Sequence, residues 1–422
     1  MDEPDESAIM KRERHLPPAK AQEWPPVIIL NLFYSGLGIA RDMAGCGVRV
    51  VGLSAHRHIY GNSTRRCDVR FSPNTQEQPE EFVEYLLQAA AELQGAVIFP
   101  TRDADVLFLD RFREELEPFF RLAVPPRQVL RRVIDKYALV EAAIAADVPV
   151  PRTTVVRTAS DLAAAVVEVG FPCIVKPISS VHWRVANNWN LVGGQKAFRA
   201  NNFAELQSEY ERLARVRPEL LLQEWIPGSV DQIVIWGGYV GDNSEPLAYF
   251  TARKIVQSPE DFGTGCVVKS EPIPDLPELT IRVWRALNYQ GMAEVEFKRD
   301  TRDGKFKLIE INTRHWDWHQ LGRASGVNLT WAAYCHLVGK FHTAPHRPIQ
   351  HAKWVAEDAL LMYIARSIYH REFHPLAVWT HVSGQRMYGI FDRNDPLPFL
   401  RYSIDLLPTF AKAVARQIFQ RS

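Results

Sequence analysis

The 422-residue chain has little cysteine, almost no net charge and no long apolar run. Its five cysteines are scattered, and none forms a Cys-x-x-Cys pair, which argues against a disulfide framework or a structural zinc site and fits a reducing cytoplasm. Fifty basic and 49 acidic residues give a formal net charge of +1, so no overall field attracts nucleic acid or an anionic membrane. No apolar stretch approaches the roughly 20 residues that span a bilayer, and the charged start lacks the apolar core of a signal peptide. We therefore expect function to lie in local sites.

The length predicts two or three domains. Residues 1–24 are polar and charged, which is typical of a flexible tail. Over 25–125, apolar runs alternate with helical patterns and predict an α/β, Rossmann-like domain with a parallel sheet. Helices followed by closely spaced strands predict an α+β domain over 126–345. Residues 346–422 are rich in aromatic and basic residues and are predicted to form a mostly helical extension.

The most informative segment is 291–314, in which two strand-like runs flank the turn signal Asp303-Gly304. Alternate residues of a strand share a face, so a loop of two residues would separate the acidic side chains of the two runs. A loop of three residues would place Glu296 opposite Glu310. Because glycine readily adopts the left-handed conformation that such a loop needs at its last residue, we predict an odd loop of three or five residues.

That register brings together two carboxylates and an amide, those of Glu296, Glu310 and Asn312. Opposed carboxylates repel unless a positive charge lies between them, and oxygen ligands suit Mg²⁺. The alternative is a solvated polar face with two incidental acids. The apolar residues Leu308, Ile309 and Ile311 favour a buried, functional face.

Other candidates are ambiguous one by one. Lys176 ends an apolar strand and is either a phosphate contact or a surface lysine, and Lys136 is less informative still. Residues 220–228 form either a strand that presents its backbone to a planar base or an ordinary core strand. Arg253 and Lys254 point to opposite faces if they lie in a strand, so only one of them enters a site.

Taken in order, these elements resemble the ATP-grasp superfamily, and within it the carboxylate–amine ligases, a group that includes D-aspartate ligase. The resemblance spans about residues 25–345 and implies a Rossmann-like domain followed by an ATP-grasp fold. It rests on PTRDADVLFLDRFREEL (100–116), DKYALVEAAIAADVPVP (135–151), CIVKP (173–177), QEWIPG (223–228) with Asp231 beyond it, VEF (295–297) and EINTR (310–314). Each motif is short, and their joint order carries the weight.

The resemblance implies a role for each matching residue. Lys136 and Lys176 would hold the phosphates of ATP. The adenine hinge and the ribose contact would come from Glu224, Trp225, Ile226 and Asp231. One or two Mg²⁺ ions, for which Mn²⁺ can substitute, would be bound by Glu296, Glu310 and Asn312. Arg314 and Arg253 would face the transferred phosphate or the acyl-phosphate.

Two departures bear on the substrates. The loop at 178–196 is long and aromatic where the superfamily usually has a short glycine-rich loop. The aromatic segment after Arg314 contains His315 and His319, which either line an acceptor pocket or pack against the C-terminal helices. Thr101 and Asp103, after a predicted parallel strand, are further candidate substrate contacts. SGLGIAR (35–41) resembles a dinucleotide fingerprint only superficially.

The implied reaction has two steps. ATP phosphorylates a substrate carboxylate, and an amine then displaces phosphate to form an amide bond, so the expected ligands are a small acid and a small amine. The alternatives are an ATP-grasp kinase or carboxylase, or a nucleotide-binding scaffold without turnover. A homodimer is an alternative to a monomer that the sequence leaves open.

Overall fold

The computed structural model describes residues 24–179, 183, 186–259, 261–340 and 351–406. Within these ranges the chain forms a five-stranded, a four-stranded and a seven-stranded sheet. The two larger sheets share one buried apolar cluster, which joins Ile29 of the first to Phe250 of the last. The predicted α/β and α+β fold class is confirmed.

The first sheet is parallel, in the order β3-β2-β1-β4-β5. Its first strand is buried at all four positions, as the apolar sequence VIIL predicts for a strand covered on both faces. The elements are β1 (Val27–Leu30), α1 (Tyr34–Met43), β2 (Val50–Ser54), β3 (Asp68–Phe71), α2 (Pro79–Leu93), β4 (Val97–Phe99), α3 (Asp103–Arg111), α4 (Arg113–Leu116) and β5 (Arg121–Leu122).

The second sheet is antiparallel, in the order β6-β9-β7-β8. Two helices precede it, and the second of these begins at Lys136, where Asp135 caps it by accepting from two backbone N–H groups. The elements are α5 (Arg127–Ile134), α6 (Lys136–Ala145), β6 (Thr153–Val156), α7 (Leu162–Val169), β7 (Cys173–Pro177), α8 (Ala186–Leu191), β8 (Phe198–Ala200), α9 (Phe203–Leu213) and β9 (Leu220–Glu224).

The third sheet has the order β14-β13-β10-β11-β12-β15-β16. Its last two strands lie beyond residue 345, so the segment predicted as a helical extension also contributes strands to the sheet. The elements are β10 (Ile233–Val240), β11 (Pro246–Ser258), β12 (Thr264–Ser270), α10 (Asp275–Leu287), β13 (Gly291–Arg299), β14 (Phe306–Asn312), α11 (Leu321–Ala324), α12 (Leu329–Leu337), β15 (Lys353–Val355), α13 (Glu357–Tyr369), α14 (Pro375–Val382) and β16 (Arg386–Tyr388).

The hairpin of β13 and β14 has the predicted pairing at its acidic end, where Glu296 lies opposite Glu310. The predicted odd loop is wrong, however. The Asp300 N–H donates to the Lys305 carbonyl at 2.8 Å and closes a loop of four residues, 301–304. The number of loop residues is therefore even. A β-bulge restores the register, because Phe297 pairs with Leu308 and leaves Ile309 without a partner position on β13.

The segments 1–23 and 407–422 lie outside the described residues, so the predicted flexible tail and the end of the predicted helical extension are not described structurally. The same holds for 180–182 and 184–185 in the long loop. Among the helices that the structure describes, none combines the length and apolar character needed to cross a membrane.

Candidate active site

A cavity of about 1040 Å³ lies between the four-stranded and seven-stranded sheets. Of the predicted site residues, ten line it: Thr101, Lys136, Lys176, Glu224, Trp225, Ile226, Glu296, Glu310, Asn312 and Arg314. These residues come from both sheets and from the loop after β4, so the fold brings together groups that are far apart in sequence. The volume suits a ligand larger than a single amino acid.

The two opposed carboxylates are each neutralised by a lysine from another element. The Lys254 ammonium on β11 donates to Glu296 Oε2 at 2.6 Å, and Lys136 at the start of α6 forms an ion pair with Glu310. Burial alone would raise the pKa of Glu310, but the charges of Lys136 and Lys176 hold it well below its usual range. Glu310 is therefore an anion in the physiological pH range, ready to bind a cation.

Glu294 adds a third carboxyl group to the same face. The Asn312 amide donates to Glu294 Oε2 at 3.0 Å, which leaves the Asn312 amide oxygen as an acceptor. Burial raises the pKa of Glu294 to about 8, although nearby Lys254 acts in the opposite direction. Glu294 lies two residues before Glu296 on β13, so the alternation of side chains along a strand accounts for its place on this face.

Lys176 at the end of β7 is buried and donates to Gln223 Oε1 on β9 at 2.8 Å. Burial and the charge of Lys136 together lower the pKa of Lys176 to about 7, against the opposing effect of Glu310 and Glu296. Lys176 is therefore a buried residue of the cavity lining and not a surface lysine, while its contact with a phosphate stays a prediction.

The predicted hinge lies at one end of the cavity. The Glu224 carboxylate points away to Arg152 and Arg302, at 3.2 and 2.6 Å; these contacts outweigh its burial and lower its pKa to about 2. Its side chain is therefore structural, which agrees with a hinge that acts through its backbone. The Arg199 guanidinium and the Lys298 ammonium lie 4.4 and 4.9 Å from the centroid of the Trp225 ring.

Five predicted residues lie outside the cavity lining, and Asp231 and Arg253 are the first two of them. Asp231 is exposed and accepts from the Ser229 hydroxyl, while neighbouring Ser229 and Val230 line the cavity. Arg253 donates to Glu271 at 2.5 Å and to the Asp231 carbonyl. Of the two adjacent basic residues on β11 it is Lys254 that enters the cavity, because its side chain points to the carboxylate face of the sheet. The choice of Arg253 is thus corrected to Lys254.

Arg314 lines the cavity and links the segment after β14 to the first residue of α3. Its guanidinium donates to Asp103 at 2.6 Å, so Asp103 orients Arg314 and stands behind the cavity wall. Burial opposes the charge of Arg314, but Asp103 and Asp317 raise its pKa above the usual value. Thr101 is buried at the wall and donates to the Leu30 carbonyl at 2.5 Å.

The two histidines pack in the interior and do not line the cavity. His315 shares a 3.1 Å hydrogen bond with Thr330, and burial lowers its pKa. His319 Nδ1 lies 2.7 Å from the Trp316 carbonyl. Both histidines therefore pack in the interior, but against α12 and α1 and not against the C-terminal helices of the predicted alternative, while their neighbours Trp316, Asp317 and Trp318 line the cavity.

The packing of His319 explains why a glycine stands at position 38 in SGLGIAR (35–41). A Cβ on Gly38 would lie 2.5 Å from the His319 ring, so the glycine allows α1 to approach the segment after β14. A Cβ on Gly36 would clash with the Asn31 carbonyl at 1.8 Å. Both glycines therefore allow close packing. The Gly-x-Gly pattern is correspondingly weak evidence for a dinucleotide-binding site.

Sequence reasoning missed Lys254 and Gln223 as members of the site. Side-chain alternation along a strand left Arg253 and Lys254 as equal candidates for the site, so the sequence could have pointed to Lys254. Gln223 carried no signal beyond its position next to the hinge. The segment after residue 345 also contributes to the site, because Tyr363, Arg366 and Ser367 of α13 line the cavity.

The donor set fits Mg²⁺ bound together with phosphates. Among the described residues, no three histidine, cysteine or acidic side chains are grouped so as to hold a metal by themselves. Two carboxylates and an amide oxygen are what a magnesium ion takes from a protein when phosphate oxygens and water complete its octahedron. Lys136, Lys176 and Lys254 line the same cavity and would supply the countercharge for such phosphates.

No known protein-family model matches the chain. Its fold is similar to that of the biotin carboxylase domain of Hydrogenobacter thermophilus 2-oxoglutarate carboxylase, solved with MgADP, with a TM-score of 0.60, 17% identity and coverage of 78% of this chain and 73% of that one. It is also similar to L-amino acid ligase from Bacillus licheniformis, with a TM-score of 0.57, 16% identity and coverage of 78% and 79%. The chain therefore has the ATP-grasp fold.

In sequence, the chain resembles the carboxylate–amine ligases. It is 24% identical to D-aspartate ligase of Enterococcus faecium over 262 residues, which are 59% of this chain and 61% of the relative. The alignment thus spans about three fifths of that protein. This alignment confirms the resemblance to D-aspartate ligase that the sequence motifs indicated.

Proposed function

We propose that the protein is an ATP- and Mg²⁺-dependent carboxylate–amine ligase that forms an amide or peptide bond and releases ADP and phosphate. The observation that carries the proposal is the pairing of Lys136 with Glu310 and of Lys254 with Glu296 in one cavity. Each pair joins a group suited to phosphate with a group suited to a metal ion. Such a site is built to exchange its internal ion pairs for a nucleotide and its cation.

In the proposed reaction, an oxygen of the substrate carboxylate attacks the terminal phosphorus of ATP, and ADP leaves. The nitrogen of an uncharged amine then attacks the acyl carbon, phosphate leaves with the bonding electron pair, and the nitrogen loses a proton. Bound Mg²⁺ would neutralise the phosphate charge. Phosphoryl transfer depends mainly on alignment and charge neutralisation, so no protein nucleophile is needed.

The protein groups have separate tasks. Lys136, Lys176 and Lys254 would bind phosphate oxygens, and Arg314 would hold the acyl-phosphate at the far end of the cavity. Asp103 fixes the Arg314 side chain in that direction at 2.6 Å. The hinge backbone after β9 would bind the base, with Ile226 buried beneath it.

The test measures ADP release with ATP, Mg²⁺ and a panel of small acids and amines. We expect release to require one acid and one amine together and to fall at least about 100-fold in Glu310→Ala, since the metal ligand is lost. Glu92→Ala, which removes a glutamate that pairs with Arg70 at 2.7 Å and does not line the cavity, is the matched control and should keep most of the activity. Full activity of Glu310→Ala would refute the metal assignment, and tight ATP binding without turnover by any pair would favour a scaffold.

Finer features belong to the same proposal. One or two Mg²⁺ ions bind, and Mn²⁺ substitutes for them. A cytoplasmic location is supported by the free state of all five cysteines. A homodimer is the assembly state to test, by sedimentation with and without nucleotide.

A further inference from the structure

Three polar side chains lie in a row across one face of the four-stranded sheet. Thr153 on β6 pairs directly with Gln223 on β9, which pairs in turn with Ile174 on β7. Lys176 lies two residues beyond Ile174 and therefore shares its face. All three polar residues are buried, with exposures of 8% for Thr153, 2% for Gln223 and 8% for Lys176.

The hydrogen bonds along this row fix which group donates and which group accepts at each contact. The Thr153 hydroxyl donates to the Pro151 carbonyl at 2.9 Å, and this uses its single hydrogen. Thr153 Oγ1 can then only accept, and it accepts from Gln223 Nε2 at 2.9 Å. The carbonyl end of the Gln223 amide must therefore face Lys176, whose ammonium donates to Oε1 at 2.8 Å. With the amide reversed, two donors would face each other.

The partner of Lys176 differs in kind from the partners of the other two lysines. Lys136 and Lys254 each contact a carboxylate, which cancels most of their charge. The amide of Gln223 is a neutral acceptor, which fixes the ammonium without cancelling its charge. Both Gln223 and Lys176 line the cavity, so a bound anion would meet an oriented lysine whose hydrogen-bond partner is neutral.

We propose that Gln223, oriented by Thr153, is a positioning residue that holds Lys176 ready for a phosphate group. The inference rests on the proposed nucleotide-dependent function for the identity of the anion. Thr153 has no place in the cavity wall and acts through Gln223 alone.

The experiment compares Thr153→Val, which keeps the shape and removes the acceptor, with Thr153→Ser, which keeps the hydroxyl. Isothermal titration gives Kd for MgATP and for adenosine. We expect Thr153→Val to weaken MgATP about tenfold, the effect of misplacing one hydrogen bond to a charged group, while Thr153→Ser remains close to wild type. Adenosine, which lacks phosphates, should bind all three proteins equally.

Thr154→Val is the matched control, because Thr154 is the next residue of β6 and points to the opposite face. Gln223→Glu is a second route that does not depend on Thr153: it keeps the shape, supplies a carboxylate that cancels the Lys176 charge, and should also weaken MgATP.

The outcomes separate the two proposals. Equal MgATP affinity in wild type, Thr153→Val and Gln223→Glu would overturn the positioning role and leave the proposed function standing. Equal weakening of MgATP and adenosine in Thr153→Val would show a distorted sheet and would also overturn it. If wild type binds neither MgATP nor inorganic tripolyphosphate, both proposals are overturned.

Discussion

Lys176 should take up a proton when the protein binds MgATP. Burial, together with the charge of Lys136, holds its pKa at about 7, against an ordinary value of 10.5. An amine with that pKa is about nine-tenths uncharged at pH 8 and about one-tenth uncharged at pH 6. A phosphate next to it favours the ammonium, because an opposite charge stabilises the charged form. Binding at pH 8 should therefore consume about 0.9 proton at this residue.

Titration calorimetry in buffers of different ionisation enthalpy measures this uptake directly. Glu294, with a pKa raised to about 8, also exchanges protons near this pH, so the measured quantity is the difference between wild type and Lys176→Met, which share Glu294. We expect a difference of about 0.9 proton at pH 8 and about 0.1 at pH 6. Wild-type affinity should also fall by up to about tenfold per pH unit above pH 7.

A difference near zero at pH 8, in proteins that both bind MgATP, would refute the reasoning. It would mean either that Lys176 is already charged in the free protein or that it stays neutral beside the phosphates. Lys176→Arg is the internal control, since a guanidinium keeps its proton at every pH used and should contribute no uptake.

The structure supports three further predictions. Lys176 should contribute stability to the ligand-free protein as pH rises from about 7 towards 10.5, because the unfolded lysine keeps its proton over this range while buried Lys176 loses it. The free energy of unfolding of wild type relative to Lys176→Met, measured by chemical denaturation, should therefore increase over this range. Lys254→Ala should reduce ADP release far more than Arg253→Ala, since only Lys254 contacts Glu296 in the cavity, and similar losses would contradict the corrected assignment. Gly38→Ala should lower the free energy of unfolding by about 1–3 kcal/mol, because the added methyl group would clash with His319. The Kd for MgATP should stay unchanged. A large loss of nucleotide affinity without a loss of stability would instead favour a dinucleotide site at SGLGIAR (35–41).

The hairpin of β13 and β14 shows how far sequence periodicity reaches. Alternation placed the acidic residues of each strand on one face, and the structure has Glu296 opposite Glu310. The loop parity could not be inferred, because a loop of even length and a bulge at Ile309 produce the same pairing as an odd loop without a bulge. A bulge depends on tertiary packing and has no residue signature as clear as a turn glycine.

The choice between Arg253 and Lys254 failed for a related reason. Strand β11 has apolar residues on both faces, and irregularities in its pairing with β12 follow Lys254, so local sequence does not say which face holds the cavity. The histidines after Arg314 posed a similar problem: polar side chains beside tryptophans suit a pocket or a core equally well. Contacts with Thr330 and with α1, distant in sequence, place them in the core.

The ion pairs of the ligand-free site also imply that metal and nucleotide bind together. Mg²⁺ alone would have to displace Lys136 from Glu310 and Lys254 from Glu296, and would leave two ammonium groups without counter-ions in a buried site. A nucleotide alone would draw the same lysines away and leave two carboxylates facing each other. When both bind, each lysine exchanges a carboxylate for a phosphate and each carboxylate exchanges a lysine for the metal, so no buried charge loses its partner. The two ligands should therefore each raise the affinity of the other by the same factor.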